Sequence, residues 1–246
     1  FPYEHKMIPV PELIFESANE PRKNSKGIDL NSPLETAELL AVVQKKSGEL
    51  FIIHPLINGI NTGIALQDHF SPADNNHLLG QYSMVEEEDI LQAVKSAYSA
   101  QPQWDLLGHL NRADILDTVA NYMEQETAEM ITIIASEGGR TLNDGISEVR
   151  EAIDFCRYYA LQSRQISQEK DTNYSGRGVF LCISPWNFPL AIFTGQIAAA
   201  LASGNSVIAK PANQTPIIAN YAVKLFHRAG VPNNVLQLLL GSGSKI

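Results

Sequence analysis

Two prolines bracket a tryptophan, an asparagine and a phenylalanine in the stretch Ile183-Ser184-Pro185-Trp186-Asn187-Phe188-Pro189. An apolar run over 178–182 precedes it and a helical pattern over 190–201 follows it. The carboxyl end of a strand is where open α/β sheets hold ligands, and the next helix offers its unpaired N–H groups to anions. Pro189 suits a first helical turn, while Pro185 keeps Ser184 out of the helical region. Asn187 is then either a donor aimed at a ligand or a local partner for the backbone of its own rigid turn. Two further loops would face the same crevice. In one, Lys210 leads into Pro211-Ala212-Asn213-Gln214, a polar turn suited to sugar hydroxyls; the other opens with Gly241-Ser242-Gly243, where a backbone can approach a pyrophosphate closely. Lys210 by itself reads more readily as a solvated lysine at a strand end.

The elements that must position these loops follow from periodicity. Strand 178–184, helix 189–203, strand 205–209, helix 216–229 and strand 235–240 form a βαβαβ series, with Gly204 and Gly230 as helix C-caps and Thr215-Pro216 opening the second helix. Strands apolar almost throughout, alternating with helices, predict a parallel sheet covered on both faces with right-handed crossovers. Upstream, Ser32-Pro33-Leu34-Glu35 gives a capping box for a helix to Lys46. Short runs over 51–54, 63–66 and 78–82, separated by turn residues such as Ser71-Pro72-Ala73-Asp74-Asn75-Asn76, predict antiparallel hairpin strands. After Glu86-Glu87-Glu88-Asp89, the positions Ile90, Ala93, Val94, Ala97 and Tyr98 share one helix face, and Trp104 follows in a loop. A single long helix is predicted over 110–136, ended by Gly138-Gly139. A third spans 144–162, with Val149, Ile153, Cys156 and Ala160 inward and Glu151 at its middle. Residues 163–177 read as polar and irregular, and 1–31 as an extended arm.

Composition removes several function classes. The net charge is −9 with no Lys/Arg cluster, which argues against a nucleic-acid partner held through phosphates. The acidic run 86–89 suits the positive end of a helix better than a metal. Two cysteines indicate no disulfide framework and fit a reducing, cytoplasmic setting. The histidines are scattered without i, i+4 pairs, so no metal site is expected. No apolar segment reaches the ~20 residues of a membrane span. A start at Phe1 and a stop at Ile246 within a glycine-rich loop predict a piece of a longer protein.

ISPWNFP, its continuation LAIFTGQIAAALASGNSVIAKPA and QTPIIA after it resemble the cofactor-binding half of the aldehyde dehydrogenase superfamily. Within it, SEVREAIDFCRYYA over 147–160 and the run 178–240 are similar to the L-glutamate γ-semialdehyde (1-pyrroline-5-carboxylate) dehydrogenase module of the bacterial bifunctional proline utilization A proteins. The likeness is strong over 130–246 and looser over 33–129. It implies an incomplete aldehyde dehydrogenase-like α/β fold. Residues 33–246 would be the N-terminal part of the NAD-binding domain, and 1–32 a connection from an upstream proline dehydrogenase module, the only place for FAD. Residues 163–177 become a candidate piece of a flap joining a homo-oligomer.

The resemblance also implies roles. Asn187 matches the side-chain donor of the oxyanion hole, where attack of a thiolate on an aldehyde places negative charge. Ile183, Ser184, Pro185 and Trp186 match the cofactor wall, Lys210, Ala212 and Asn213 the ribose end, and Gly241 the adenosine end. Glu151 matches the carboxylate that anchors the substrate amino group, and Phe188 an aromatic beside the substrate tunnel. By spacing alone Glu151 is an exposed helix carboxylate paired with Arg150 or Arg157, and Phe188 a core residue. The implied reaction is NAD-linked oxidation of the semialdehyde to glutamate through a cysteine thiohemiacetal and a thioester.

Two departures stand out. The family's glutamate at the ribose is Asn213 here, which admits NADP as an alternative cofactor. The catalytic cysteine and general-base glutamate of the family have no counterpart among these residues, so this stretch alone is expected not to oxidise aldehydes. A dinucleotide-binding or assembly module, and an aldehyde dehydrogenase of other specificity, are the competing assignments.

Overall fold

A computed structural model describes residues 13–15, 20–63, 65–169 and 174–246. Parts of the expected arm, Ile64, and residues 170–173 of the candidate flap segment lie outside them.

Residues 20–29 have no regular structure, as expected of an arm, yet they are docked. Ser25 is fully buried, its N–H and hydroxyl donating to the two Asp154 carboxylate oxygens at 2.9 and 2.7 Å. Helix α1 (Pro33–Lys46) starts as predicted, with Ser32 Oγ accepting from Glu35 N–H and Pro33 in the first turn. The box does not close. The Asp29 carbonyl already takes the Ser32 N–H, and the Glu35 carboxylate turns to the Asp29 N–H instead.

Strands β1 (Phe51–Ile53), β2 (Leu56–Ile57), β3 (Ile60–Asn61), β4 (Leu66–Ser71) and β5 (Asp74–Ser83) divide between two sheets. β4 and β5 pair antiparallel as a hairpin, as expected, but the strands differ from the prediction: β4 starts at the end of the expected strand 63–66, and Ser71 and Asp74 to Asn76 of the expected turn are strand residues, leaving Pro72-Ala73 as the turn. β1, expected to be antiparallel, lies parallel to β5. The chain leaves β1 for the β2–β3 hairpin in the other sheet before it returns, so no tight turn dictates the direction of β1.

Helix α2 (Glu87–Leu106) is capped through its acidic run, Asp89 Oδ2 accepting from Glu86 N–H at 2.9 Å. Its buried line is Ala93, Ala97, Ala100 and Trp104, whereas Val94 and Tyr98 face outward, because small side chains are what let the helix lie flat on the sheet. Trp104 belongs to the last turn of α2, not to a loop; its indole N–H donates to the Leu201 carbonyl at 3.0 Å. The predicted helix 110–136 is two, α3 (His109–Gln125) and α4 (Thr127–Gly138), broken at Glu126. Neither glycine nor proline marks the break; the Glu126 side chain is held by Tyr221 and Arg228. Gly139, at φ 63°, ends α4 as expected. Helix α5 (Leu142–Ile166) buries Val149, Ile153, Cys156 and Ala160 as predicted but continues through 166, so the irregular segment begins later.

The βαβαβ series is present as β6 (Val179–Ile183), α6 (Ala191–Ala202), β7 (Ser206–Lys210), α7 (Pro216–Ala229) and β8 (Leu236–Leu238). The sheet order is β3-β2-β8-β7-β6, parallel among β6, β7 and β8 and extended by antiparallel β2 and β3. α2 covers one face; α6 and α7 lie on the other, backed by α3, α4 and α5. Gly204 and Gly230 take positive φ at the helix ends, as predicted. β7 and β8 are buried throughout, but Phe180, Leu181 and Ile183 of β6 are exposed, so cover on both faces stops short of this strand, which among the described residues pairs on one side only. Pro189 lies in the turn just ahead of α6 rather than in its first turn.

Candidate functional site

Because β6, β7 and β8 are adjacent and parallel, the loops after them lie along one edge of the sheet. The pairing of Ile183 with Lys210 sets the first two side by side, and Ser184 N–H donates to the Lys210 carbonyl at 3.2 Å.

Along this edge several polar side chains are buried without partners. The Ser184 and Thr215 hydroxyls and the Asn213 carbonyl oxygen are enclosed and make no hydrogen bond. Such groups are costly to leave unmatched, and a bound ligand or water that matches them recovers that cost. Lys210 is buried rather than solvated; its Nζ reaches only the Pro211 carbonyl at 3.3 Å, and burial lowers its pKa. Ala212 closes the turn by accepting from Thr215 N–H. These unmatched groups on a buried lysine loop suit a ligand rich in hydroxyls and phosphates.

The corner 184–188 presents its own groups. Ile183 and Trp186 are exposed large apolar side chains, a wall for a flat ligand. The Asn187 side-chain amide makes no hydrogen bond, so it does not serve its own turn. Phe188 is half-buried under the Arg140 guanidinium, 5.2 Å from the ring centroid, and is not a core residue. In the third loop Gly241 is buried next to Val85, and Val85 N–H donates to the Leu240 carbonyl.

Glu151 is exposed on α5, and neither neighbouring arginine pairs with it. Arg150 Nε donates to Ser25 Oγ, and Arg157 is committed to Glu124 at 2.6 Å and to the Asn24 carbonyl. It stands one helical turn beyond Glu148, which touches the start of α6.

Glu148 and Glu137 are the groups that sequence reasoning missed. The N–H groups of Leu190 and Ala191 donate to Glu148 Oε1 at 2.7 and 3.3 Å, and those of Ile217 and Ile218 to Glu137 Oε1 and Oε2 at 2.7 and 2.9 Å. The expectation that the N-terminus of α6 is free for an anion is therefore corrected: a protein carboxylate already occupies it. The available signal was a glutamate on each inward face, Glu148 four residues before buried Ala152 and Glu137 four after buried Ile133.

Neither thiol suits nucleophilic chemistry. Cys156 is fully buried, which pushes its pKa far up, and burial takes Cys182 to about 11. A thiolate is the reactive form, so both are inert near neutral pH. Among the described residues no group of three His, Cys, Asp or Glu side chains is placed to hold a metal, and no helix is long and apolar enough to cross a membrane.

The sequence pattern of the aldehyde dehydrogenase family matches residues 62–246. The bifunctional protein PutA of Klebsiella aerogenes is 39% identical over 98% of this chain, which covers 18% of that protein. The 1-pyrroline-5-carboxylate dehydrogenase of Geobacillus thermodenitrificans is 31% identical over 92% of the chain and 46% of its own length. Among solved structures, proline utilization A from Bdellovibrio bacteriovorus, inactivated by N-propargylglycine, superposes with a TM-score of 0.86 at 29% identity, over 90% of this chain and 24% of that one. A 1-pyrroline-5-carboxylate dehydrogenase from Thermus with bound NAD gives 0.86 at 25% identity, over 92% and 46%. The chain thus spans under half the length of each of these relatives.

Proposed function

This chain belongs to the aldehyde dehydrogenase family, and from that premise we propose that it is the N-terminal part of the NAD-binding domain of an enzyme oxidising L-glutamate γ-semialdehyde to L-glutamate. The observation that carries this reading is the set of unmatched polar groups along one sheet edge: Ser184, Asn213 and Thr215 beside buried Lys210, with the Asn187 amide unengaged at the neighbouring corner. Lys210, Ala212 and Asn213 would hold the ribose end of NAD, Ile183 to Trp186 would line it, and Gly241 would lie near the adenosine. NAD, when bound, accepts the hydride. Asn187 donates to the aldehyde oxygen as negative charge develops there. Glu151, unpaired and exposed, holds the substrate ammonium, and Phe188 packs beside the substrate.

The name of the Geobacillus relative supports the substrate, and the NAD-bound Thermus structure supports the cofactor. The nucleophile is not Cys156 or Cys182, so it comes from the remainder of a longer parent chain, and residues 1–246 alone give no NADH. Residues 1–32 as a connection to a proline dehydrogenase module, 163–177 as part of an oligomer flap, and a cytoplasmic setting belong to the same proposal. The full-length parent should form NADH from the semialdehyde, and Asn187→Ala should lower kcat roughly 10²–10³-fold, the cost of one oxyanion donor. An unchanged kcat in that variant would remove Asn187 from the oxyanion hole; no NADH in the parent would remove the activity.

A further inference from the structure

Helices α6 and α7 both begin just after the loops assigned above, and neither has a side-chain cap of its own from Leu190 or Thr215. Unpaired N–H groups at a helix start need acceptors, and they favour negative charge. A Ser, Thr or Asp at the cap position would supply one locally. Here the acceptors come from another layer of the molecule: Glu148 of α5 for α6, and Glu137 of α4 for α7.

We propose that Glu148 and Glu137 are positioning residues, fixing from behind the oxyanion corner 184–188 and the ribose loop 210–215 respectively. The proposal rests on the family assignment of those loops. A local cap ties a helix to its own chain; a carboxylate from α4 or α5 ties the loop to the rigid helical layer. Both carboxylates are buried, Glu137 with no side-chain exposure and Glu148 2% exposed. Burying them is costly. That cost is borne at the two places where loop position matters to the reaction.

The two devices differ in a way that separates them. Glu148 uses Oε1 for both amides, while its Oε2 is buried without a partner. Glu137 uses both oxygens, and His69 Nε2 lies 3.0 Å from its Oε1. An amide side chain therefore fits at 148, where Oε1 keeps both bonds and the NH2 takes the vacant side. At 137 it would set an NH2 against a backbone N–H whichever way it turned.

The test uses the full-length parent chain, with kcat and NAD affinity referred to the folded fraction. Glu148→Ala should lower kcat roughly 10- to 100-fold through misplacement of Asn187, with NAD binding weakened by a clearly smaller factor because Ser184 to Trp186 of the same corner only line the cofactor. Glu148→Gln should recover most of the lost kcat. Glu137→Gln should weaken NAD binding, titrated without aldehyde, about tenfold, the equivalent of one buried hydrogen bond left unmade. Amide exchange should quicken at Leu190 and Ala191 in Glu148→Ala and at Ile217 and Ile218 in Glu137→Gln. Wild-type kcat in folded Glu148→Ala, or wild-type NAD affinity in folded Glu137→Gln, overturns the proposal, as does an equal loss in both parameters from either site. An inactive wild-type parent would overturn the activity assigned above, and the NAD titration and amide exchange would still decide the positioning role.

Discussion

At the scale of the residue, the site is defined by groups that lack partners. Asn213 shows why this matters for cofactor choice. A glutamate at this position would repel a 2′-phosphate, whereas the Asn213 amide carries no charge and leaves its buried oxygen unmatched. The parent enzyme should therefore discriminate less against NADP than its Asn213→Glu variant does. Comparing kcat/KM for the two cofactors in both proteins checks this, and an equally strong NAD preference in both would sink it. Residue type made Asn187, Lys210 and Asn213 visible as candidates in the sequence, because an asparagine or a lysine at a strand end invites the question of what it binds. Glu151 was ambiguous until Arg150 and Arg157 proved to be engaged with Ser25 and Glu124.

At the scale of the element, the βαβαβ frame was legible because apolar strands and short links leave few alternatives; the limits of α7 match those predicted. Other boundaries depended on contacts. The break between α3 and α4 at Glu126 has no local signature, and Trp104 became helical with its indole committed to the end of α6. The close packing of α5 on α6 is also tertiary. A Cβ added at Gly195 would lie 2.9 Å from a ring carbon of Phe155, within a pair of helices that pack along much of their lengths. Gly195→Ala should therefore destabilise the protein by about 1–3 kcal/mol, the usual range for overpacking, even though alanine favours helix. Thermal unfolding of the two proteins checks the sign; a gain in Tm would mean that Phe155 moves aside freely.

At the scale of the whole molecule, the edge proposed to face the nucleotide is assembled from two successive βα links and the loop after β8, with α2 on one face of the sheet and α6 and α7 on the other. If these 246 residues hold that edge in place, NAD should raise their melting temperature. Binding to the folded form alone contributes about 2.7 kcal/mol at a hundred times the dissociation constant. A melting temperature indifferent to NAD would count against a preformed cofactor edge in this stretch.

The sequence by itself determined the βαβαβ order over 178–240, the loops that share a sheet edge, and the residue types that edge offers. Those features depend on periodicities of two and 3.6 and on local turn chemistry, which are written in neighbouring residues. Only the tertiary structure decided which candidates are left unpaired, how far β6 is exposed, and that carboxylates 42 and 80 residues away in the chain stand behind α6 and α7. Such contacts depend on how layers pack, and no local pattern encodes the partner of a buried charge.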